Sequence, residues 1–504
     1  MAGAVDYVGL HAKERPAAPA VHDLTSGKRW TYQSLDRVIS QYAAVLCRHG
    51  IEKGDRVAVL AKNRAELTFM HLACARIGAM YVPLNWRLST AEIGKLIEDA
   101  TPRLLLGDAM LERAHLPGLS LEKFAAAAND VDPLPCEAQD ENAPSLILYT
   151  SGTSGLPKGV LLSEHNIWQT AHNFSVPARV TQESAFLCES PMFHIIGLIT
   201  SVRPPLMHGG RLVVSDGFVP SRTLALLSDS ALGITHYFCV PQMAALMRAE
   251  PSFDARKLRG LTAIFSGGAP HAAAAIRAWT DEGIPMADGY GMSEAGTVSC
   301  MPVDIDLINS HAGSAGLIPP GVHVRILDEQ GEECAPGEAG DILVKGANVS
   351  RGYWRRPEDT RAAFIDDGWL RTGDVGRMDG EGFLWLIDRK KDMFISGGEN
   401  VYPAEIERLL AGYPHIVECA VVGVADERWG EVGHLVIVQT PNVRIEPADI
   451  VAYLEPRLAR YKIPKHITVA DKLPRNGAGK LDKNTLRAIT GTQAAPKSNA
   501  PRHL

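Results

Sequence analysis

The 504-residue chain is long enough for more than one domain, and its 46% apolar and 22% charged content is that of an ordinary globular protein. A formal charge of −7 provides no broad basic surface for nucleic acid, and no apolar run approaches the roughly 20 residues that span a bilayer. The N-terminus lacks a basic segment followed by an apolar one, so no signal peptide is expected. The eight cysteines show no metal-ligand spacing and read as thiols of a reducing, cytoplasmic setting.

In chain order, Ser34 is the expected N-cap of a helix running to Cys47. Residues 55–60 read as a strand, 65–77 as a helix stopped by Gly78, and 79–84 as a second strand. Thr90 is the expected cap of a helix through Ala100, and 104–107 form a third strand. Strands alternating with helices of this length imply a parallel sheet. Residues 113–142 read as loop and helix, and 145–148 as a buried strand. The βα pattern resumes with strands at 211–214, 236–240 and 262–266. After 310, short strands such as 322–328 and 340–345, punctuated by Gly, Pro and Asp, imply a β-rich subdomain. Residues 393–490 mix helices (404–410, 450–458) with strands (418–424, 434–440) behind a charged junction, 388–392, the expected linker. Residues 490–504 read as a disordered tail, in preference to a peroxisomal address at Arg502-His503-Leu504.

The most informative stretch is Thr150-Ser151-Gly152-Thr153-Ser154-Gly155-Leu156-Pro157-Lys158-Gly159. Glycines allow close backbone approach to a ligand, successive N–H groups and hydroxyls form an anion cradle, and Lys158 supplies a mobile positive charge for phosphate oxygens. The spacing is not that of a P-loop NTPase, which needs Gly-Lys-Ser/Thr. Downstream, Asp288-Gly289-Tyr290-Gly291-Met292-Ser293-Glu294 puts an aromatic ring, a hydroxyl and a carboxylate within five residues. Those three groups suit adenine, phosphate and Mg²⁺. Asp374 after Thr-Gly has the chemistry of a ribose clamp. Lys480, behind the Gly-rich Pro474-Arg-Asn-Gly-Ala-Gly, is a single cation on an extended loop.

Taken together with Ser266-Gly-Gly-Ala-Pro270 and Ser396-Gly-Gly-Glu-Asn-Val-Tyr-Pro403, these stretches, in this order, resemble the adenylate-forming superfamily of acyl-CoA synthetases, peptide-synthetase adenylation domains and luciferases. The texture is most similar to aryl and fatty acyl-CoA ligases. The implied fold class is α/β. A large AMP-binding N-terminal domain (1–390) would be built of βα-layered subdomains, with a small β-rich subdomain at about 310–390. A small mobile α+β C-terminal domain (391–490) and the tail (491–504) would follow.

The resemblance implies roles residue by residue. Thr150, Ser151, Gly152, Thr153, Ser154, Gly155 and Lys158 would hold phosphates. Gly268, Ala269, Pro270, Asp288, Gly289, Tyr290, Gly291, Met292 and Ser293 would surround the nucleotide, with Tyr290 on adenine and Ser293 on the α-phosphate. Glu294 and Thr150 would bind Mg²⁺, and Asp374 and Arg389 the ribose. Lys480 would neutralise charge as the acyl adenylate forms, so that Thr150, Glu294, Lys480 and His194 are the implied catalytic set. Lys391 would be the pivot, and His194, Gly397, Gly398 and Glu399 would border the CoA tunnel. Ile195, Ile196, Val240, Gly267, Gly291 and Ala295 would line the acyl pocket. Gly291 stands where acetate-selective relatives carry Trp, and Gly289 where malonate-selective ones carry Arg. An aromatic or a medium- or long-chain acid is therefore expected. The implied activity is an acid–CoA ligase using ATP, Mg²⁺ and coenzyme A, as a monomer or homodimer with small-molecule partners only. The rival expectations are an enzyme that loads a carrier protein and an inactive nucleotide-binding scaffold.

Overall fold

The computed structural model describes residues 6–135, 139–150, 157–269, 271–390, 392–396, 399–426, 428–441, 443–476 and 480–490. Among them two large, mostly parallel sheets share one core. The first has eight strands, in the order Gly296–Cys300, Met286–Met292, Ala263–Gly267, His236–Cys239, Ala185–Cys188, Arg211–Val214, Pro19–Asp23, Arg29–Thr31. The second has six, in the order Leu119–Ser120, Leu104–Gly107, Arg56–Leu60, Met80–Pro83, Pro144–Thr150, Lys158–Ser163. Pairing is parallel within each except in the hairpins at their ends. The central strands are apolar on both faces, the signature of a sheet covered on both sides. Val21 and Leu212 of one sheet and Val57, Tyr81 and Leu146 of the other join one apolar cluster with the helices Tyr32–Arg48 and Ala65–Arg76.

The expected helices form, but two of their caps shift by one to three residues. Thr31, extended at ψ 169°, caps the first helix, and Ser34 is its reciprocal partner three residues on. Ser89, not Thr90, caps the helix Thr90–Ala100, in a box with Glu92. In both, the hydroxyl nearest the apolar run already lies inside the helix, and an earlier hydroxyl, three residues back in the first case and one in the second, supplies the cap.

A third, antiparallel sheet is built of Val322–Leu327, Gly340–Gly346, Phe364–Ile365, Trp369–Met378 and Leu384–Arg389. The C-terminal residues make their own sheet from Phe394–Ser396, Glu399–Val401, Ile416–Asp426, Gly430–Gln439 and His466–Val469. Its two apolar clusters contain only residues from Phe394 onward. Attachment to the preceding strand is polar: Ala404 N–H donates to Asp388 Oδ2 at 2.7 Å, and the Arg408 guanidinium donates to the Leu386 carbonyl at 2.8 Å and to that of Ile387. No described helix is long and apolar enough to cross a membrane.

Replacing Thr31 with Ala removes one half of the capping box and is expected to cost about 1 kcal/mol. The check is a lowered denaturation midpoint by far-UV circular dichroism.

Candidate active site

The phosphate-binding stretch is carried by a hairpin. Pro144–Thr150 and Lys158–Ser163 pair antiparallel, with Thr150 opposite Lys158. Residues 151–156 lie outside the described residues, but both flanks are fixed. Thr150 Oγ1 donates to the Lys158 carbonyl at 3.4 Å, and Tyr149 Oη donates to Asp99 Oδ2 at 2.7 Å. A second segment runs along the outer strand. Leu161 N–H donates to the Gly352 carbonyl and Trp354 N–H to the Gly159 carbonyl, and Arg356 closes the contact by donating to Asp99 Oδ1 at 2.6 Å. Gly159 is set by the hairpin itself: a Cβ there would stand 2.7 Å from Ile147 on the paired strand, and 3.4 Å from Trp354.

Tyr353, on this segment, joins two predicted residues. Its hydroxyl donates to Glu294 Oε1 at 3.0 Å, and its ring lies 5.3 Å beneath the Lys158 ammonium, which pairs with Asp359. Burial, then the charge of Glu294, pushes the Tyr353 phenol above its ordinary pKa. It therefore remains a hydrogen-bond donor.

Ser293 and Glu294 occupy the turn between Met286–Met292 and Gly296–Cys300. The turn is pinned by Ser350 N–H to the Glu294 carbonyl (2.7 Å) and Asn348 Nδ2 to the Ala295 carbonyl (2.6 Å). On the same hairpin, Tyr290 Oη donates to Asp374 Oδ2 at 2.6 Å, and both side chains are buried. The candidate adenine and ribose residues are thus directly bonded across two sheets. Asp374 faces Arg389 across the strand pair; only the backbone of Arg389 is described. Asp288 accepts from or pairs with His271 Nδ1 at 3.1 Å. Gly289 pairs with Cys300, Met292 pairs with Gly296, Ala269 is exposed, and Pro270 lies outside the described residues.

Around the candidate acyl space, a Cβ on Gly268 would stand 3.6 Å from Ile196 and 4.0 Å from Val240, and one on Gly267 would stand 3.3 Å from the Phe238 ring. Ile196, Val240, Gly267 and Gly268 are therefore neighbours, with Phe238 as an unanticipated wall. Ile195 packs on the core shared by the two large sheets. Ala295 is fully buried with Tyr290 and Val298 in a cluster separate from the one Ile196 packs against. A Cβ on Gly291 would lie 2.2 Å from the Gly296 carbonyl oxygen, so this glycine answers to close approach of the hairpin strands rather than to pocket size.

His194 has its Nε2 buried with no hydrogen-bond partner among the described residues. Burial, reinforced by the charges of Lys480 and Arg87, lowers its pKa to about 3, so the imidazole is neutral. Lys480 is thus one of the cations whose charge His194 feels. The Lys480 loop is closed by Asn476 N–H to the Lys480 carbonyl at 2.9 Å and Lys480 N–H to Asn476 Oδ1 at 3.1 Å. Lys391, Gly397 and Gly398 lie outside the described residues. Glu399 is exposed, opposite Ser396.

The sequence reading misses Tyr353, Asp359, Asp99, Phe238 and His271. The available signal was Arg351-Gly-Tyr-Trp-Arg-Arg356, two aromatics flanked by cations in a β-rich region.

Residues 10–354 match the AMP-binding enzyme family, and residues 405–480 match the AMP-binding enzyme C-terminal domain. The chain belongs to the AMP-binding enzyme family. It is 36% identical to a feruloyl-CoA synthase of Amycolatopsis sp over 487 residues, 95% of this chain and 97% of that one. It is 35% identical to the long-chain-fatty-acid–CoA ligase FadD13 of Mycobacterium tuberculosis over 489 residues, 94% of this chain and 95% of that one. Among solved structures it is similar to ATP-bound MatB from Rhodopseudomonas palustris, with a TM-score of 0.89 and 31% identity over 97% of this chain and 99% of that one. The mixed α/β architecture of this family member is the fold class expected from sequence.

The His194 environment sets a pH dependence. Its folded pKa lies below the ordinary 6.5, so the unfolded chain binds the additional proton at intermediate pH. The associated stability is complete above about pH 6.5 and is lost as pH falls toward 3. His194→Asn is expected to shift the acid-unfolding midpoint to lower pH than in the parent, as monitored by tryptophan fluorescence.

Proposed function

We propose that the protein is an ATP-dependent, AMP-forming acid–CoA ligase acting on an aromatic or a medium- or long-chain carboxylic acid, as a cytoplasmic monomer or homodimer. The observation that carries the reading is the meeting of Lys158 and Glu294 at Tyr353, beside the Tyr290–Asp374 pair. Phosphate, metal and nucleoside chemistry thereby fall on the edges of three sheets.

A carboxylate is a poor electrophile. In the first half-reaction its oxygen attacks the α-phosphorus of ATP, pyrophosphate leaves and acyl-AMP forms. The protein's part is positioning and neutralisation of phosphate charge. Lys158 and the 151–155 stretch hold phosphates, with Ser293 on the α-phosphate. Glu294, with Thr150, binds the Mg²⁺ that enters with ATP. Tyr290 with Gly268, Ala269 and Pro270 frames the adenine, and Asp374 and Arg389 hold the ribose. Lys480 offsets the charge shared by the carboxylate and the α-phosphate. In the second half-reaction the CoA thiol attacks the acyl carbonyl and AMP leaves. The C-terminal domain pivots at Lys391 between the two, withdrawing Lys480 and bringing the 397–399 stretch to the tunnel bordered by His194. A neutral His194 suits that place, because it adds no charge beside an acyl group.

The aromatic and apolar surroundings of Gly267 and Gly268, from Phe238, Val240 and Ile196, support a bulky apolar acyl group. A second carboxylate buried there would need a partner that these residues do not supply.

Pyrophosphate release with MgATP and CoA is measured across acetate, malonate, octanoate, palmitate, benzoate, 4-coumarate and ferulate. CoA-dependent turnover favouring the larger acids is expected. Release without CoA dependence would instead favour a carrier-protein loader. Lys480→Ala is expected to slow acyl-AMP formation by about 10²–10³, the usual cost of one oxyanion-stabilising donor, while thioester formation from preformed acyl-AMP persists. Val240→Phe is expected to shift preference toward smaller acids, read as the ratio of kcat/KM for benzoate and palmitate.

A further inference from the structure

We infer that Asp359 is a built-in counter-anion for Lys158, occupying the ammonium until a nucleotide phosphate takes its place, so that it sets ATP affinity from outside the nucleotide-contacting set. This deepens the ligase reading and rests on its assignment of Lys158 to phosphate.

Asp359 lies in the first turn of the helix Pro357–Ala363, and Lys158 opens the strand Lys158–Ser163, 201 residues earlier. Chain proximity therefore does not impose their pairing. It is imposed by the edge contact of Gly352 and Trp354 with Leu161 and Gly159, which carries the helix up to the phosphate hairpin. That helix start is held twice more, by Arg356 on Asp99 and by Thr360 Oγ1, which accepts from Tyr353 N–H at 3.0 Å. The carboxylate is thus presented from a fixed support to a lysine on a long, rotatable stem. The ammonium lies over the Tyr353 ring, and the same phenol feels the charges of both Glu294 and Asp359.

The pair is partly open to solvent, with side-chain exposures of 24% for Lys158 and 36% for Asp359. An ion pair in that setting is weak, so it can be exchanged. A triphosphate brings several negative charges and more acceptor oxygens than one carboxylate, and it wins the ammonium by Coulomb attraction. Asp359 is a positioning residue: it determines where Lys158 rests and how readily ATP recruits it.

The test has two readouts. Lys158 acylation by an amine reagent, followed by mass spectrometry on the nucleotide-free protein, reports the pair without ATP. The Kd and KM for MgATP report the exchange. Asp359→Asn is expected to speed acylation of Lys158 and to lower Kd and KM for MgATP by about two- to five-fold, the worth of an exposed ion pair, with kcat retained. Asp359→Glu is expected to restore parental values. Glu358→Gln removes the neighbouring charge from the same helix start and controls for the helix end; it should change neither readout. Unchanged acylation, or an Asp359→Asn protein that binds MgATP as the parent does or more weakly, would overturn the inference. A parent protein that binds no MgATP would be a different failure, that of the ligase reading itself.

Discussion

The site depends on one short edge contact between backbones. Gly352 and Trp354 bond to Leu161 and Gly159, and through them the antiparallel third sheet is joined to the outer strand of the six-stranded sheet. Two N–H···O bonds are individually modest. Their effect is geometric: they bring Tyr353 between Lys158 and Glu294, and they carry Asp359 within reach. A side chain at residue 159 would press on Ile147 of the paired strand, which accounts for the glycine after the lysine. A second tie, Tyr290 to Asp374, binds the eight-stranded sheet to the third sheet. With these two ties, three separately built sheets present their edges to a single space.

The division of labour between scaffold and site follows from burial. The parallel strands are held by apolar side chains on both faces, so they are rigid and carry little chemistry. The reactive groups sit where sheets end or turn: Glu294 in a hairpin turn, Lys158 at a strand start, Asp374 beside a strand irregularity, Lys480 on a loop. Ligands at the ends and switch points of α/β sheets are the general case. His194 shows the other face of that rule, since its burial, with the charges of Lys480 and Arg87, fixes a neutral ring whose Nε2 has no partner among the described residues.

How much of this is legible in the sequence depends on the range of the interactions. Strands such as Arg211–Val214 match the expected bounds, because three consecutive apolar residues, two of them β-branched, between turn signals leave little choice. Caps are less legible: Thr31 and Ser34 both carry hydroxyls, and only backbone geometry decides which one starts the helix. The strands Pro19–Asp23 and Arg29–Thr31 escape notice, being short and mixed in polarity, the first defined by a neighbour almost two hundred residues away and the second by the first. The same holds at the site. Local motifs announce Lys158, Tyr290, Glu294, Asp374 and Lys480, whereas Asp359 and Asp99 have no local signature and matter only through distant partners. Gly291 illustrates a third case, in which the residue is noticed but its reason is a backbone oxygen across the hairpin.

The polar attachment of the C-terminal sheet has a consequence for cooperativity. Its apolar clusters are complete within residues 394–486, and the bonds from Arg408 to main-chain carbonyls and from Ala404 to Asp388 are of a kind that water replaces at small net cost. The unfolding of one part therefore removes little support from the other. Heat melts such a chain in two events rather than one, and a single midpoint would describe neither.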